Sequence, residues 1–359
     1  MAEFNFSARI ERLLQKISGE QVDAILIRKP ENLFYFSGFN GDSSCLFISK
    51  NFLKLITDGR YSEQAATQAK NFEIIKQTDG LFPKIADEVK NSAVKKIAFE
   101  GKFFTFDEYS TLQEKIPNVE FKSVEVDSLR QIKDAAEISC IRQACAVADK
   151  AFAEILNFVR AGIREVEVAA ELEYFMRKFG SERAAFDTIV ASGVRSSLPH
   201  GRASEKIIAD GELVTMDFGA VVDGYHSDMT RTFCVGKSSA RQREIYHAVL
   251  DAQLYGLEII KVGVSGKAAD EAVRNRLKDL GFAEYFTHSL GHSLGLEIHE
   301  EPRLSPRSTC ERLEENMLVT DEPGIYIPNF GGVRIEDTVL VTANGAEVLT
   351  HSPKEFISL

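Results

Sequence analysis

Three short segments concentrate carboxylate and imidazole side chains in patterns that suit metal ions. In the first, Leu213-Val214-Thr215-Met216-Asp217-Phe218-Gly219-Ala220-Val221-Val222 leads through Asp223-Gly224 into Tyr225 to Val235. Asp-Gly between two apolar alternating runs is a strong signal for a two-residue hairpin turn. Pairing Val222 with Tyr225 sets Thr230 opposite Asp217 and puts Asp228 two residues along on the same face. Diagonal neighbours of that kind have side chains roughly 7 Å apart, a gap that metal ions can bridge. The second segment, His288 to Glu300, holds three of the chain's seven histidines, His288, His292 and His299, within twelve residues. His288 and His292 stand four apart, but Gly291 and Gly295 make a helix poor there, so the segment reads as extended chain and loop. In the third, Glu322 and Glu336 lie symmetrically about Asn329, and a hairpin closing at Asn329 would bring them level.

Taken singly, each segment has a plainer explanation: strand-end or solvated acids for Asp217 and Asp228, a structural histidine, and a surface ion-pair face for Arg334-Ile335-Glu336-Asp337. Together, Asp217, Asp228, His292, Glu322 and Glu336 supply four carboxylates and one imidazole. Like charges at short range oppose ionisation, and two divalent cations balance four negative charges. Oxygen-rich ligands with one nitrogen suit manganese, cobalt, iron or zinc. Two such ions about 3.5 to 4 Å apart can share a hydroxide nucleophile and polarise a carbonyl, which is chemistry for hydrolysing an acyl bond.

These side chains need a rigid frame, and the pattern along the chain supplies one. Up to about residue 128 helical and strand-like stretches alternate, as in an α/β domain. Helices are expected near 7–17, 62–70, 82–90 and 107–115, and strands at 24–27, 45–48, 53–57, 73–75 and 96–99. A long helix then starts near Lys133, with Ile138, Ile141, Cys145, Ala148, Phe152, Ile155 and Val159 as its apolar stripe and Gly162 as its end. A second runs from about Val166 to Phe179, before Gly180. From Phe186 onward the pattern reads as strands and glycine-bearing turns.

The 359 residues favour two domains, and 44% hydrophobic with 27% charged residues describes a chain that folds in water. A net charge of -11 without a Lys/Arg cluster argues against nucleic acid as a partner. Five scattered cysteines show no metal or redox spacing and read as buried, reduced thiols. The amphipathic start and the lack of a long apolar run argue against a secretory signal or a membrane partner, and make the cytoplasm the expected compartment.

With these motifs the chain resembles the metallopeptidases of the pita-bread fold, in the Xaa-Pro aminopeptidase and Xaa-Pro dipeptidase (prolidase) branch. The resemblance implies a creatinase-type α/β N-terminal domain over residues 1–128 and an α+β pita-bread catalytic domain over 129–359. It also implies that Asp217 holds one metal, His292 and Glu322 the other, and that Asp228 and Glu336 bridge both. Manganese is the first expectation, with cobalt or zinc as alternatives. Glu322 would further act as general base towards the attacking water. His200, in Ala191-Ser192-Gly193-Val194-Arg195-Ser196-Ser197-Leu198-Pro199-His200, matches a histidine that contacts substrate and steadies the reacting group, and His299 matches another. His288 and Arg334 match outer residues lining the proline pocket and site, and Arg303 falls at a position implied to bind a substrate carboxylate in prolidases.

Asp321 departs from the pattern, since many relatives carry an apolar residue there. Thr57-Asp58-Gly59-Arg60-Tyr61 resembles a segment of bacterial aminopeptidase P-like enzymes. On that segment the expectation goes to an Xaa-Pro aminopeptidase acting on peptides with proline second, with prolidase as the alternative. A non-enzymatic pita-bread peptide-binding module is a remote alternative. A prolyl nitrogen lacks a hydrogen and its ring fixes the backbone, so such bonds call for a dedicated pocket. The family resemblance also implies a homodimer.

Overall fold

The computed structural model describes residues 4–359, which divide into one unit ending at Arg130 and another running from Gln131 to Leu359. In the first, helices and strands alternate as α1 (Phe6–Gly19), β1 (Ala24–Ile27), α2 (Pro30–Ser37), β2 (Cys45–Ser49), β3 (Leu53–Thr57), α3 (Ser62–Gln68), β4 (Glu73–Lys76), α4 (Leu81–Lys90), β5 (Lys96–Phe99), α5 (Phe106–Lys115) and β6 (Glu120–Ser123). The six strands form one sheet in the order β4-β3-β2-β1-β5-β6. Leu26, Phe47 and Ile56 from its centre pack with Ile85, Val89 and Leu112 from α4 and α5. Two elements escaped the sequence pattern. Helix α2 buries Asn32, Leu33, Tyr35, Phe36 and Ser37, almost all round and without an amphipathic period, although Pro30 at its start and Gly38 at its left-handed end mark it. Strand β6 is a polar edge strand with no apolar alternation.

The second unit opens with α6 (Ala135–Ile155), whose N-terminus is closed by a capping box between Asp134 and Glu137. The apolar stripe continues past its end, but the helix does not. The amides of Phe158 and Val159 both bond back to Ile155 in a turn, and the chain reaches Gly162, at φ +93°, outside the helix. Helix α7 (Glu165–Lys178) follows, stopped near Gly180.

The expectation of strands throughout the remainder is corrected by two further helices, α8 (Ala240–Ile259) and α9 (Gly266–Asp279), which interrupt β7 (Ile189–Ser192), β8 (Glu212–Phe218), β9 (Val221–Val222), β10 (Tyr225–His226), β11 (Met229–Val235), β12 (Gly291–Ser293), β13 (Glu300–Leu304), β14 (Leu318–Asp321), β15 (Gly324–Ile327), β16 (Gly331–Arg334), β17 (Asp337–Thr342) and β18 (Gly345–Val348). Both helices have serine caps, Ser239 and Ser265, and α8 buries Ile245, Val249, Ala252 and Gly256 at helical spacing.

The two helix pairs back two sets of strands. Ala148, Phe152 and Leu172 of α6 and α7 pack against Met216, Phe218 and Phe233. Val249 and Val273 of α8 and α9 pack with Val319, Ile325, Val333 and Val339. Because side chains alternate across a strand, Met216 and Phe218 enter the core while Asp217 between them takes the opposite face. Asp223 and Gly224 both have positive φ, as the tight hairpin requires, and the observed register joins Val222 to Tyr225 and Asp217 to Thr230. The hairpin about Asn329 also forms. Ile327 pairs with Gly331, Gly324 with Arg334 and Asp321 with Asp337, which brings Glu322 and Glu336 level.

The five cysteines are free, with four buried and Cys310 half-buried, which corrects the expectation that all five are buried. No helix among the described residues is long and apolar enough to cross a membrane.

Candidate active site

Each of the five proposed ligands comes from a strand or from its end. Asp217 lies in β8, Asp228 immediately precedes β11, His292 is the middle residue of β12, Glu322 follows β14, and Glu336 separates β16 from β17. The strand pairings carry them to one place. His292 Nε2 is 3.5 Å from Asp228 Oδ2 and 3.5 Å from Glu322 Oε1. Ligand atoms of Asp228, His292 and Glu336 all lie within 4.8 Å of one another.

Their orientation is fixed by neighbouring polar groups. His292 Nδ1 faces the Ser293 carbonyl at 3.0 Å, and a carbonyl only accepts, so Nδ1 carries the proton and Nε2 presents its lone pair to the carboxylates. Thr320 accepts from the His292 amide and donates to Glu322 Oε1 at 3.0 Å. Thr230 donates to Glu336 Oε2 at 2.6 Å. Arg334 donates to Asp217 Oδ2 at 2.6 Å, to Thr230, to the Pro199 carbonyl and to the Tyr326 hydroxyl. Tyr326, with Arg334 donating to its oxygen, can give its own proton to His288 Nε2 at 2.8 Å, while His288 Nδ1 donates to the Ser289 carbonyl. Arg231 underpins Glu336 from behind by donating to its backbone carbonyl and pairing with Asp337, which Lys354 also meets at 2.6 Å.

The electrostatics call for cations. Burial, and then the repulsion of the neighbouring carboxylates, raises the proton affinity of Asp228 and Glu336 well above that of ordinary carboxylic acids. Burial pushes Glu322 up to about 8. It lowers His292 to about 3 and His288 to about 4, so both rings are neutral lone-pair donors at physiological pH. Asp217 Oδ1 and Asp228 Oδ1 are buried and have no hydrogen-bond partner among the described residues. Such orphaned oxygens beside a neutral imidazole are what divalent ions satisfy, and the residues present fit a metal centre.

A cavity of about 560 Å³ opens over this cluster. All ten residues singled out from the sequence line it: His200, Asp217, Asp228, His288, His292, His299, Arg303, Glu322, Arg334 and Glu336. The His299 ring meets His292 edge-on, with centroids 4.4 Å apart. Four supporting residues were not anticipated: Thr230, Arg231, Thr320 and Tyr326. Thr230 was already visible opposite Asp217 in the hairpin register, and Tyr326 sits inside the Asn329 hairpin, paired with Gly332.

Residues 139–343 match metallopeptidase family M24, which spans more than half of the chain. The chain belongs to this family. As an M24 metallopeptidase it is an enzyme that uses divalent metal ions, and residues 9–132 match the creatinase/prolidase N-terminal domain, so both expected domains are present. The Xaa-Pro dipeptidase of Pyrococcus furiosus is 40% identical over 97% of this chain and 99% of its own length. Among solved structures, the Xaa-Pro dipeptidase from Bacillus anthracis is 47% identical with a TM-score of 0.96, covering 99% of this chain and 100% of that one. The X-Pro aminopeptidase from Thermotoga maritima is 40% identical with a TM-score of 0.91, covering 98% of this chain and 100% of that one.

Proposed function

We propose that this M24 peptidase is an Xaa-Pro dipeptidase, hydrolysing dipeptides with proline second. The observation that carries the reading is full-length likeness, at 40% and 47% identity, to proteins described as Xaa-Pro dipeptidases. It supports the alternative drawn from the sequence better than the aminopeptidase, which rested on Thr57 to Tyr61, a segment that ends β3 and turns at Gly59–Tyr61. The Thermotoga maritima neighbour keeps the aminopeptidase as the second reading.

Asp217, Asp228, His292, Glu322 and Glu336 are the proposed ligands of two ions. Bound there, the ions would offset the carboxylate charge and supply Lewis-acid polarisation of the scissile carbonyl and acidification of the attacking water. Glu322 then serves as general base, taking a proton from that water and returning it to the prolyl nitrogen as the C–N bond breaks. His200 and His299 line the same cavity and would steady the reacting carbonyl. Arg303, half-exposed on the cavity wall, suits the carboxylate of the proline. His288, kept neutral by burial and hydrogen-bonded to Tyr326, lines the space for the ring. Arg334 spends its donors on protein acceptors and holds Asp217. Manganese, a homodimer and a cytoplasmic location belong to the same proposal, resting on ligand chemistry and the family resemblance.

The deciding assay reconstitutes metal-stripped protein ion by ion and compares Gly-Pro with Gly-Pro-Gly. A dipeptidase cleaves the first and leaves the second intact. Release of glycine from the tripeptide at a comparable rate would return the assignment to the aminopeptidase, and no cleavage of either would remove both.

A further inference from the structure

The wholly buried carboxylate of Glu165 belongs to none of the groups described above. It is the first residue of α7 and accepts hydrogen bonds from two ends of one loop. At one end the Ser192 amide (2.7 Å) and hydroxyl (2.9 Å) meet its Oε1. At the other, the Ser204 amide (3.1 Å) and hydroxyl (2.6 Å) meet its Oε2. Arg195, inside the loop, forms an ion pair with Oε2 and ties the loop to itself through the Arg202 carbonyl at 2.8 Å. A buried carboxylate is costly unless charge and hydrogen bonds compensate it, and here every donor among the described residues comes from the 193–203 loop or from the two serines that flank it.

The loop brings His200 to the cavity. The His200 ring is exposed, and neither of its nitrogens makes a hydrogen bond among the described residues. Its place is therefore set by the backbone that carries it. That backbone is held on one side by the Arg334 bond to the Pro199 carbonyl (3.1 Å) and the Gly332 amide bond to Ser196 Oγ (2.8 Å). Glu165 supplies the other side.

We propose that Glu165 is a positioning residue for hydrolysis: through Ser192, Arg195 and Ser204 it fixes the 193–203 loop and so aims His200 at the reacting carbonyl. The inference rests on the reading of this cavity as the peptidase site. Glutamine at 165 keeps the volume and one acceptor oxygen, but its amide nitrogen only donates, so it cannot accept from both Ser192 and the Ser204–Arg195 pair, and it carries no charge to pair with Arg195.

The test uses the metal-reconstituted full chain as Glu165→Gln, Ser204→Ala, His200→Ala and the Glu165→Gln/His200→Ala double variant. Loss of aim lowers kcat on Gly-Pro about tenfold or more in Glu165→Gln. Amide hydrogen exchange in residues 194–203 speeds up, while manganese affinity by calorimetry is unchanged because all five ligands lie on other segments. In the His200→Ala background the second substitution adds no further loss, the signature of two residues acting as one. Additive losses, or unchanged loop exchange, would overturn the proposal. Full activity of His200→Ala would overturn it differently, by removing the residue through which Glu165 acts, and inactivity of the parent on any peptide would strike at the peptidase reading itself. If Glu165→Gln does not fold, Ser204→Ala, which deletes one hydroxyl, is read by the same exchange and kinetic criteria.

Discussion

Gly291 offers a direct test of how closely the metal-ligand strands must approach. It precedes His292 in β12, and a Cβ at this position would sit 2.0 Å from the Thr320 carbonyl oxygen and 2.7 Å from Thr320 Oγ1. A carbon and a carbonyl oxygen come no closer than about 3.3 Å even in favourable contacts, so Gly291→Ala must drive the two segments apart by roughly 1.3 Å. The obstacle is backbone, not the end of a flexible side chain, and it cannot swing away. Thr320 is also the group that accepts from the His292 amide and donates to Glu322, so the displacement falls on two ligands at once. Metal–ligand distances tolerate only about 0.2 Å, and disturbing the groups that hold ligands typically costs about 10- to 100-fold in affinity. A shift of about 1 Å in reacting groups costs about 100-fold in rate. Overpacking should lower stability by about 1–3 kcal/mol. Calorimetric titration with manganese, Gly-Pro kinetics and thermal melting read the three effects. A Gly291→Ala protein that binds manganese and turns over like the parent would refute the argument that this contact sets the ligand geometry.

Metal-free protein should have an inverted pH response. Asp228, Glu322 and Glu336 bind protons more tightly folded than unfolded, chiefly through desolvation; the contribution of Glu322 to stability is complete below about pH 4.5 and is lost as pH rises through about 8, and Asp228 and Glu336 act in the same direction. The melting temperature of chelator-treated protein is expected to fall across that window relative to metal-loaded protein, and parallel curves would contradict the charge argument. Asp321 and Asp337 face each other across β14 and β17 but should respond oppositely to neutralisation. Asp321 is fully buried with an unpartnered oxygen, and burial raises its proton affinity and disfavours its charge, so Asp321→Asn should change unfolding by less than about 1 kcal/mol. Asp337→Asn breaks pairs with Arg231 and Lys354 and should cost about 3 kcal/mol or more in denaturant unfolding. Tyr326→Phe removes the hydroxyl between Arg334 and His288, which should cost about 1–2 kcal/mol and a measurable loss in kcat/KM.

The sequence by itself settled what local rules govern. Asp223-Gly224 dictated a turn whose register places Thr230 opposite Asp217, and symmetry about Asn329 dictated the pairing that levels Glu322 with Glu336, because a strand's two-residue period leaves few registers consistent with the flanking apolar residues. Apolar runs gave β1 to β5, and capping and periodicity gave α6 and α7. Tertiary structure alone decided the rest. Whether the stripe past Ile155 continues as helix depended on packing, since buried Val159 satisfies the same period from a turn. Nothing local ties His292 to Asp228, or Glu165 to Ser204. Those contacts join segments tens of residues apart, and only the packing of strands and helices around the two cores fixes how close buried charges come and which donors remain to meet them.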